Sequence, residues 1–162
     1  MEQKKIVLDT LEQAGIPYRF KEHPAIFTVE EMEAAHVDDN EEIPKNLFLR
    51  DDKGKRHFIV ALKKHKAADL KALREKLGCR PLSFASEGRL MQYLGLTKGS
   101  VSVFGVLNDE SRTVEVVIDS DLKGCPSVGF HANRNTATVF LSMDDVEQII
   151  RAHGNVVAYV EV

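Results

Sequence analysis

Between Ile43 and Val60 the chain leaves itself few ways to fold. Apolar Leu47, Phe48 and Leu49 run into a polar stretch that contains Gly54, and a second apolar run from Phe58 to Leu62 leaves it. Two short apolar runs joined by a polar, glycine-containing turn read as a β-hairpin. Lys45 stands where Pro44 hands over to the first strand. A lysine there is either a solvated strand end or a cation aimed into a cleft, and the hairpin alone leaves both readings open.

The remaining segments fall on either side of that hairpin. Val7, Leu8, Leu11 and Ala14 recur at helical spacing, and Gly15 and Pro17 end the helix. Residues 18–21 alternate as a strand. Thr28 with Glu31 forms a capping box, which opens a short acidic helix to about His36 and then an acidic loop from Val37 to Glu42. Past the hairpin, Leu70, Leu73 and Leu77 mark a helix stopped by Gly78, and residues 82–85 read as a strand. Ser86 caps a helix that Gly95 closes. Residues 97–105 form a loop of small residues. Val114, Val116 and Ile118 alternate as a half-buried strand, and 128–130 and 136–141 are two more. Ser142 caps a last helix, and 156–162 closes the chain as a strand. Hairpins with irregularly interspersed helices predict an α+β fold, one domain over 1–162, with a mixed, largely antiparallel central sheet. Neither G-x-G-x-x-G nor G-x-x-x-x-G-K-[ST] occurs, which disfavours a doubly wound nucleotide fold.

Charge is unevenly spread. The net of −3 conceals a block, residues 45–80, with 12 Lys/Arg against 4 Asp/Glu, while residues 1–44 carry a net of −7. Such a block is either a footprint for a polyanion or a solvated face. No apolar run approaches the ~20 residues that span a bilayer, and the N-terminal stretch has no signal-peptide core. Two cysteines, Cys79 and Cys125, fit a reducing compartment, so the expected location is the cytoplasm.

Several chemistries are disfavoured. The six histidines are scattered without a ligand pattern, so no metal and no cofactor is expected. Cys125 lies in a turn six residues before His131, but an exposed turn cysteine is ordinarily inert, and no Gly-x-Ser-x-Gly elbow occurs. Two loops remain. Residues 97–105 offer main-chain amides with little side-chain bulk, suited to approaching a ligand and meeting a developing oxyanion. Residues 129–136 follow a short apolar strand with an imidazole and amide groups. These residues alone support an α+β domain with an anion-binding cleft.

The order and spacing of residues 27–31, Pro44-Lys45-Asn46-Leu47-Phe48-Leu49-Arg50-Asp51, residues 82–86, residues 99–109 and Gly129-Phe130-His131 resemble the YbaK/prolyl-tRNA synthetase-associated editing family. The likeness covers nearly the whole chain and is strongest to free-standing alanyl-tRNA(Pro) deacylases. Val103 and Ala132 stand where family members commonly carry proline, which bears on loop rigidity and substrate range.

The resemblance implies hydrolysis of the ester joining a wrong amino acid to the 3′ end of proline tRNA, in a pocket that admits alanine and excludes proline. It implies that Lys45 holds the terminal nucleotide or polarises the ester. Amides of Gly99, Ser100 and Val101 would stabilise the oxyanion, and His131 would position substrate. Phe27, Thr28, Asn46, Ser102, Phe104, Gly105, Gly129 and Asn135 would shape the substrate pocket. Arg50, Lys53, Lys55, Arg56, Lys63, Lys64 and Lys66 are expected to contact the acceptor stem, with prolyl-tRNA synthetase as a transient partner. Rival readings are an editor of Cys-tRNA(Pro) or Ser-tRNA, a silent RNA- or nucleotide-binding module, and an amino-acid sensor.

Overall fold

The computed structural model describes residues 3–25, 28–34 and 41–162. The hairpin is present as β2 (Lys45–Asp51) and β3 (His57–Leu62), paired antiparallel from Lys45–Leu62 to Arg50–His57. Every residue of β3 is buried, because Ile59 and Ala61 point into one core while Phe58 and Val60 point into another. The second core is covered by α3 (Leu70–Leu77), which Asp69 caps at its start and Gly78, in the left-handed conformation, closes.

Two sheets replace the single central sheet expected from the sequence. The larger has the order β4 (Leu82–Phe84), β2, β3, β5 (Glu115–Asp119), β8 (Val157–Val160). Its β4–β2–β3 half is antiparallel, whereas β3–β5 and β5–β8 are parallel. The smaller is antiparallel throughout: β1 (Arg19–Glu22), β7 (Ala137–Leu141), β6 (Val128–Arg134). The fold is thus α+β with mixed strands, as expected. Val116 to Asp119 of β5 are all buried, so this strand is not half-exposed. Parallel neighbours and cover on both faces explain why its apparent alternation did not report on solvent.

The main core lies between the sheets. Phe48, Ile59, Ala61, Val116 and Ile118 from the larger meet Val128, Phe130, Ala132, Val139 and Leu141 from the smaller. Helices α1 (Gln3–Gln13), α4 (Glu87–Leu94) and α5 (Met143–His153) add Val7, Leu11, Leu90, Leu94, Val146 and Ile150. The sheets also touch where Glu42 bridges Val128, with the Gly129 amide donating to the Glu42 carbonyl at 2.9 Å. That seam lies next to Lys45 in the chain, and a cavity opens there.

Candidate functional site

A cavity of about 360 Å³ is lined from both sheets and from the loops between them. Ile43, Pro44, Lys45, Asn46 and Leu47 form one wall, Gly99 and Val101 a second, His131 a third, and Thr28 and Met32 of the acidic helix segment a fourth. Six of the residues expected at the site, Thr28, Lys45, Asn46, Gly99, Val101 and His131, therefore share one space. Thr28 caps α2 (Val29–Ala34) by accepting the Glu31 amide at 3.0 Å, the geometry its sequence signature predicts. Phe27 lies outside the described residues.

The small-residue loop is fastened on both sides. Asn46 accepts the Val103 amide on its side-chain oxygen at 3.0 Å and donates to the Pro44 carbonyl at 3.2 Å. Ser102, wholly buried, donates its hydroxyl to the His131 carbonyl at 2.7 Å and accepts the Phe104 amide at 3.2 Å, starting the 3₁₀ turn Val103–Asn108. Ser102 therefore holds the loop against β6 and does not line the cavity. Phe104 packs edge-on against Phe130, with ring centroids 6.0 Å apart, inside the core. A methyl group at Gly105 would stand 2.7 Å from Leu96, and one at Gly129 would stand 2.7 Å from the Phe140 ring and 3.0 Å from Ile43. These two glycines permit close packing behind the cavity; neither forms its surface.

Ser100 faces the other way. Its amide donates to the Thr97 carbonyl at 3.1 Å and its hydroxyl accepts the Asn135 amide at 3.2 Å. Both residues line a second cavity, with Thr97, Asn133 and Thr136, on the far side of the loop. Gly99, at φ 89°, turns the chain so that Gly99 and Val101 face the first cavity. Among the described residues no intramolecular acceptor takes the Gly99 or Val101 amide.

His131 belongs to β6 and not to a loop, opposite Thr138 of β7. Its Nδ1 is buried without a hydrogen-bond partner among the described residues. Burial and then the neighbouring His23, whose ring lies 6.2 Å away, push its pKa down to about 4. The imidazole is neutral at pH 7. Sequence reading missed His23, which binds the Thr138 hydroxyl at 2.8 Å, because only the β1–β7–β6 pairing brings it near. It also missed Ile43 and Leu47, although strand periodicity around Lys45 places both on its face.

The hairpin divides the basic block. Lys63, Lys64 and Lys66 follow β3 at the cavity end, whereas Arg50, Lys53, Lys55 and Arg56 sit at the turn end, about 17 Å away at ~3.4 Å per residue. Lys53, Lys55 and Lys63 are exposed. Arg56 grips Glu115 through two nitrogens, at 3.0 and 2.8 Å, and lies over the Phe58 ring. Arg50 donates to the Asp51 carbonyl at 3.0 Å. Lys66 binds Asp119 at 2.9 Å and Asp121 at 2.7 Å. Among the described residues no three His, Cys, Asp or Glu side chains group to hold a metal, and no helix is long and apolar enough to cross a membrane.

Residues 23–149 match the model of the aminoacyl-tRNA editing domain. The chain is 48% identical over 161 residues to prolyl-tRNA editing protein ProX of Acetoanaerobium sticklandii, covering 99% of this chain and 98% of the relative. It is 32% identical over 147 residues to prolyl-tRNA synthetase associated domain-containing protein 1 of Danio rerio, covering 88% and 78%. A solved structure of a candidate trans-editing enzyme for prolyl tRNA synthetase superposes with a TM-score of 0.76 at 22% identity, covering 100% of this chain and 98% of the other. That last likeness is one of fold.

Proposed function

The chain belongs to the aminoacyl-tRNA editing-domain family, and from that membership we propose that it removes a wrong amino acid, alanine first, from the 3′ end of proline tRNA by ester hydrolysis. The observation that carries this reading is the convergence of Lys45, His131, Gly99 and Val101 on one cavity at the seam between the sheets. Ile43, Met32, Leu47 and Val101 give the cavity apolar walls that suit a small side chain. A second pocket that admits alanine and rejects the proline ring is what a synthetase unable to exclude the smaller amino acid requires.

The lining residues set the chemistry. The ammonium of Lys45 serves the ester end or the terminal nucleotide as a compact cation, and the two free amides face the oxygen on which negative charge develops. No described lining residue is a carboxylate, and a neutral His131 with so low a pKa is a weak base. Its role is to hold substrate. The attacking water is then activated by the ribose hydroxyl next to the ester, with positioning and oxyanion stabilisation supplying the rate. The transient partner in this reading is prolyl-tRNA synthetase, and the site of action is the cytoplasm.

Deacylation of Ala-tRNA(Pro) beside Pro-tRNA(Pro) tests the reaction and the sieve together: the first is cleaved and the second persists. Equal cleavage of both removes the sieve. A panel including Cys-tRNA(Pro) and Ser-tRNA ranks the substrate. Lys45→Ala abolishes turnover, and a wild-type rate in that variant overturns the assignment of the site. Replacing the terminal adenosine by its 2′-deoxy form stops the reaction; undiminished turnover assigns the base elsewhere.

A further inference from the structure

The ammonium of Lys45 donates to the main-chain carbonyl of Lys66, which is itself fixed by charge. Asp119, at the end of β5, is wholly buried. Its carboxylate accepts the Lys63 amide at 3.3 Å, the Lys66 ammonium at 2.9 Å and the Asp121 amide at 3.1 Å. The Lys66 ammonium also reaches the Asp121 carboxylate at 2.7 Å and the Val162 carbonyl at 3.3 Å. The turn closes where the Lys66 amide meets the Lys63 carbonyl at 3.0 Å, and Glu42 accepts the Lys64 amide at 3.2 Å. Asp121 and Asp119 hold the Lys66 ammonium above its ordinary pKa, so it stays charged within the clamp.

We propose that Asp119 and Lys66 are positioning residues for Lys45: the buried carboxylate fixes the Lys63–Lys66 turn, and the carbonyl presented by that turn sets where the Lys45 ammonium stands in the cavity. A carbonyl takes one of the three ammonium protons without cancelling the charge, so two donors and the full positive charge remain for substrate. A carboxylate at that point would neutralise the cation. The negative charge closest in the chain of contacts, on Asp119, is already answered by Lys66. The clamp also gives Lys66 a function other than a contact to tRNA phosphate.

This inference rests on the hydrolytic reading for its rate arm and has a second arm that does not. In single-turnover deacylation at saturating enzyme, Asp119→Asn and Lys66→Met lower the rate about tenfold or more, as misplaced reacting groups do. Affinity for uncharged tRNA(Pro) and its salt dependence stay at wild-type values. Lys66→Arg, which still bridges the two carboxylates, restores most of the rate. If Lys66→Met instead weakens tRNA binding, lowers the salt slope by about one and leaves the saturated rate unchanged, Lys66 is a phosphate contact and the proposal fails. Should Lys66→Met not fold, Asp119→Asn carries the rate test alone, and a wild-type rate overturns the clamp. Independently of turnover, NMR of 13Cε-labelled lysine shows the Lys45 resonance moving in Asp119→Asn but not in Lys53→Gln. An unmoved Lys45 resonance overturns the clamp even in an active enzyme. A wild-type protein inert on every mischarged tRNA sinks the hydrolytic reading and leaves the NMR arm to judge the clamp.

Discussion

Ser102 and His131 are joined by a hydroxyl that donates to a main-chain carbonyl at 2.7 Å, so the amide-bearing loop and the histidine strand are fastened directly to one another. Removing that hydroxyl in Ser102→Ala leaves the part-buried His131 carbonyl and the buried Phe104 amide each short of a partner. The expected cost is about 1–3 kcal/mol, read as a fall of several degrees in Tm. Deacylation falls further than stability does, because Gly99 and Val101 lose their distance from His131. Unchanged Tm and rate would show that the loop is held by other contacts.

The main-chain amide of Val103 does what a proline in its place could not. It donates to the Asn46 side chain at 3.0 Å. Ser102 is extended, at φ −150° and ψ 147°, a conformation that tolerates a following proline. Val103→Pro therefore gains about 0.4–1 kcal/mol of chain stiffness and loses a hydrogen bond worth about 1 kcal/mol or more, for a small net loss. The sharper outcome is in coupling. Asn46→Ala costs less in the Val103→Pro background than in the wild type, and a double-mutant cycle with zero coupling energy contradicts the contact.

Acid should act on His131 before it acts on the carboxylates. The pKa of the buried imidazole is about 4, against an ordinary value of about 6.5 in the unfolded chain. The unfolded state takes up the proton first, so the stability contributed by the neutral ring is fully present above about pH 6.5 and is lost as pH falls toward 4. The amount is up to about 3 kcal/mol. His57, lowered by burial and then by Arg89, acts in the same direction. Urea unfolding from pH 4 to 7 in His131→Gln isolates the His131 share as a shallower slope; an unchanged slope assigns the whole effect to His57. Asp51 and Asp109, whose carboxyls are lowered, weaken the fold only below that window. Between pH 5.5 and 8 the deacylation rate shows no inflection from His131.

Charge substitutions along the hairpin should separate tRNA contacts from internal ion pairs. Lys53→Gln, Lys55→Gln and Lys63→Gln each weaken binding of uncharged tRNA(Pro) and reduce the salt slope by about one. Arg56→Gln leaves the slope unchanged, because its charge is engaged by Glu115. A slope altered by Arg56→Gln and by none of the three lysines would move the acceptor stem off this face.

The hairpin, the caps at Thr28, Ser86 and Ser142, and the position of Lys45 at the head of the first hairpin strand were legible because each is set by residues within a few positions of one another; that Lys45 lines a cavity was implied only by the family resemblance. The two-sheet arrangement was not. Pairing β3 with β5 and β5 with β8 joins segments more than fifty and more than forty residues apart, and local alternation carries no trace of such partners. The loop from Thr97 to Ser102 has no periodic pattern, so the sequence gives no means of telling that Ser100 turns to the second cavity while Gly99 and Val101 face the first. The β6 strand ran on to Arg134 because β7 is there to pair with it; residues read as a loop became the wall that carries His131.

Because Lys45 and Asn46 come from one sheet and His131 from the other, the width of the pocket is a property of how the two sheets nest. Phe130, Val139, Ile59 and Val116 belong to the filling between them and are not themselves lining residues of the cavity. Slimming or bulking that filling would narrow or spread the gap between opposite walls, so the choice between alanine and a larger amino acid is open to tuning by residues that never meet the substrate.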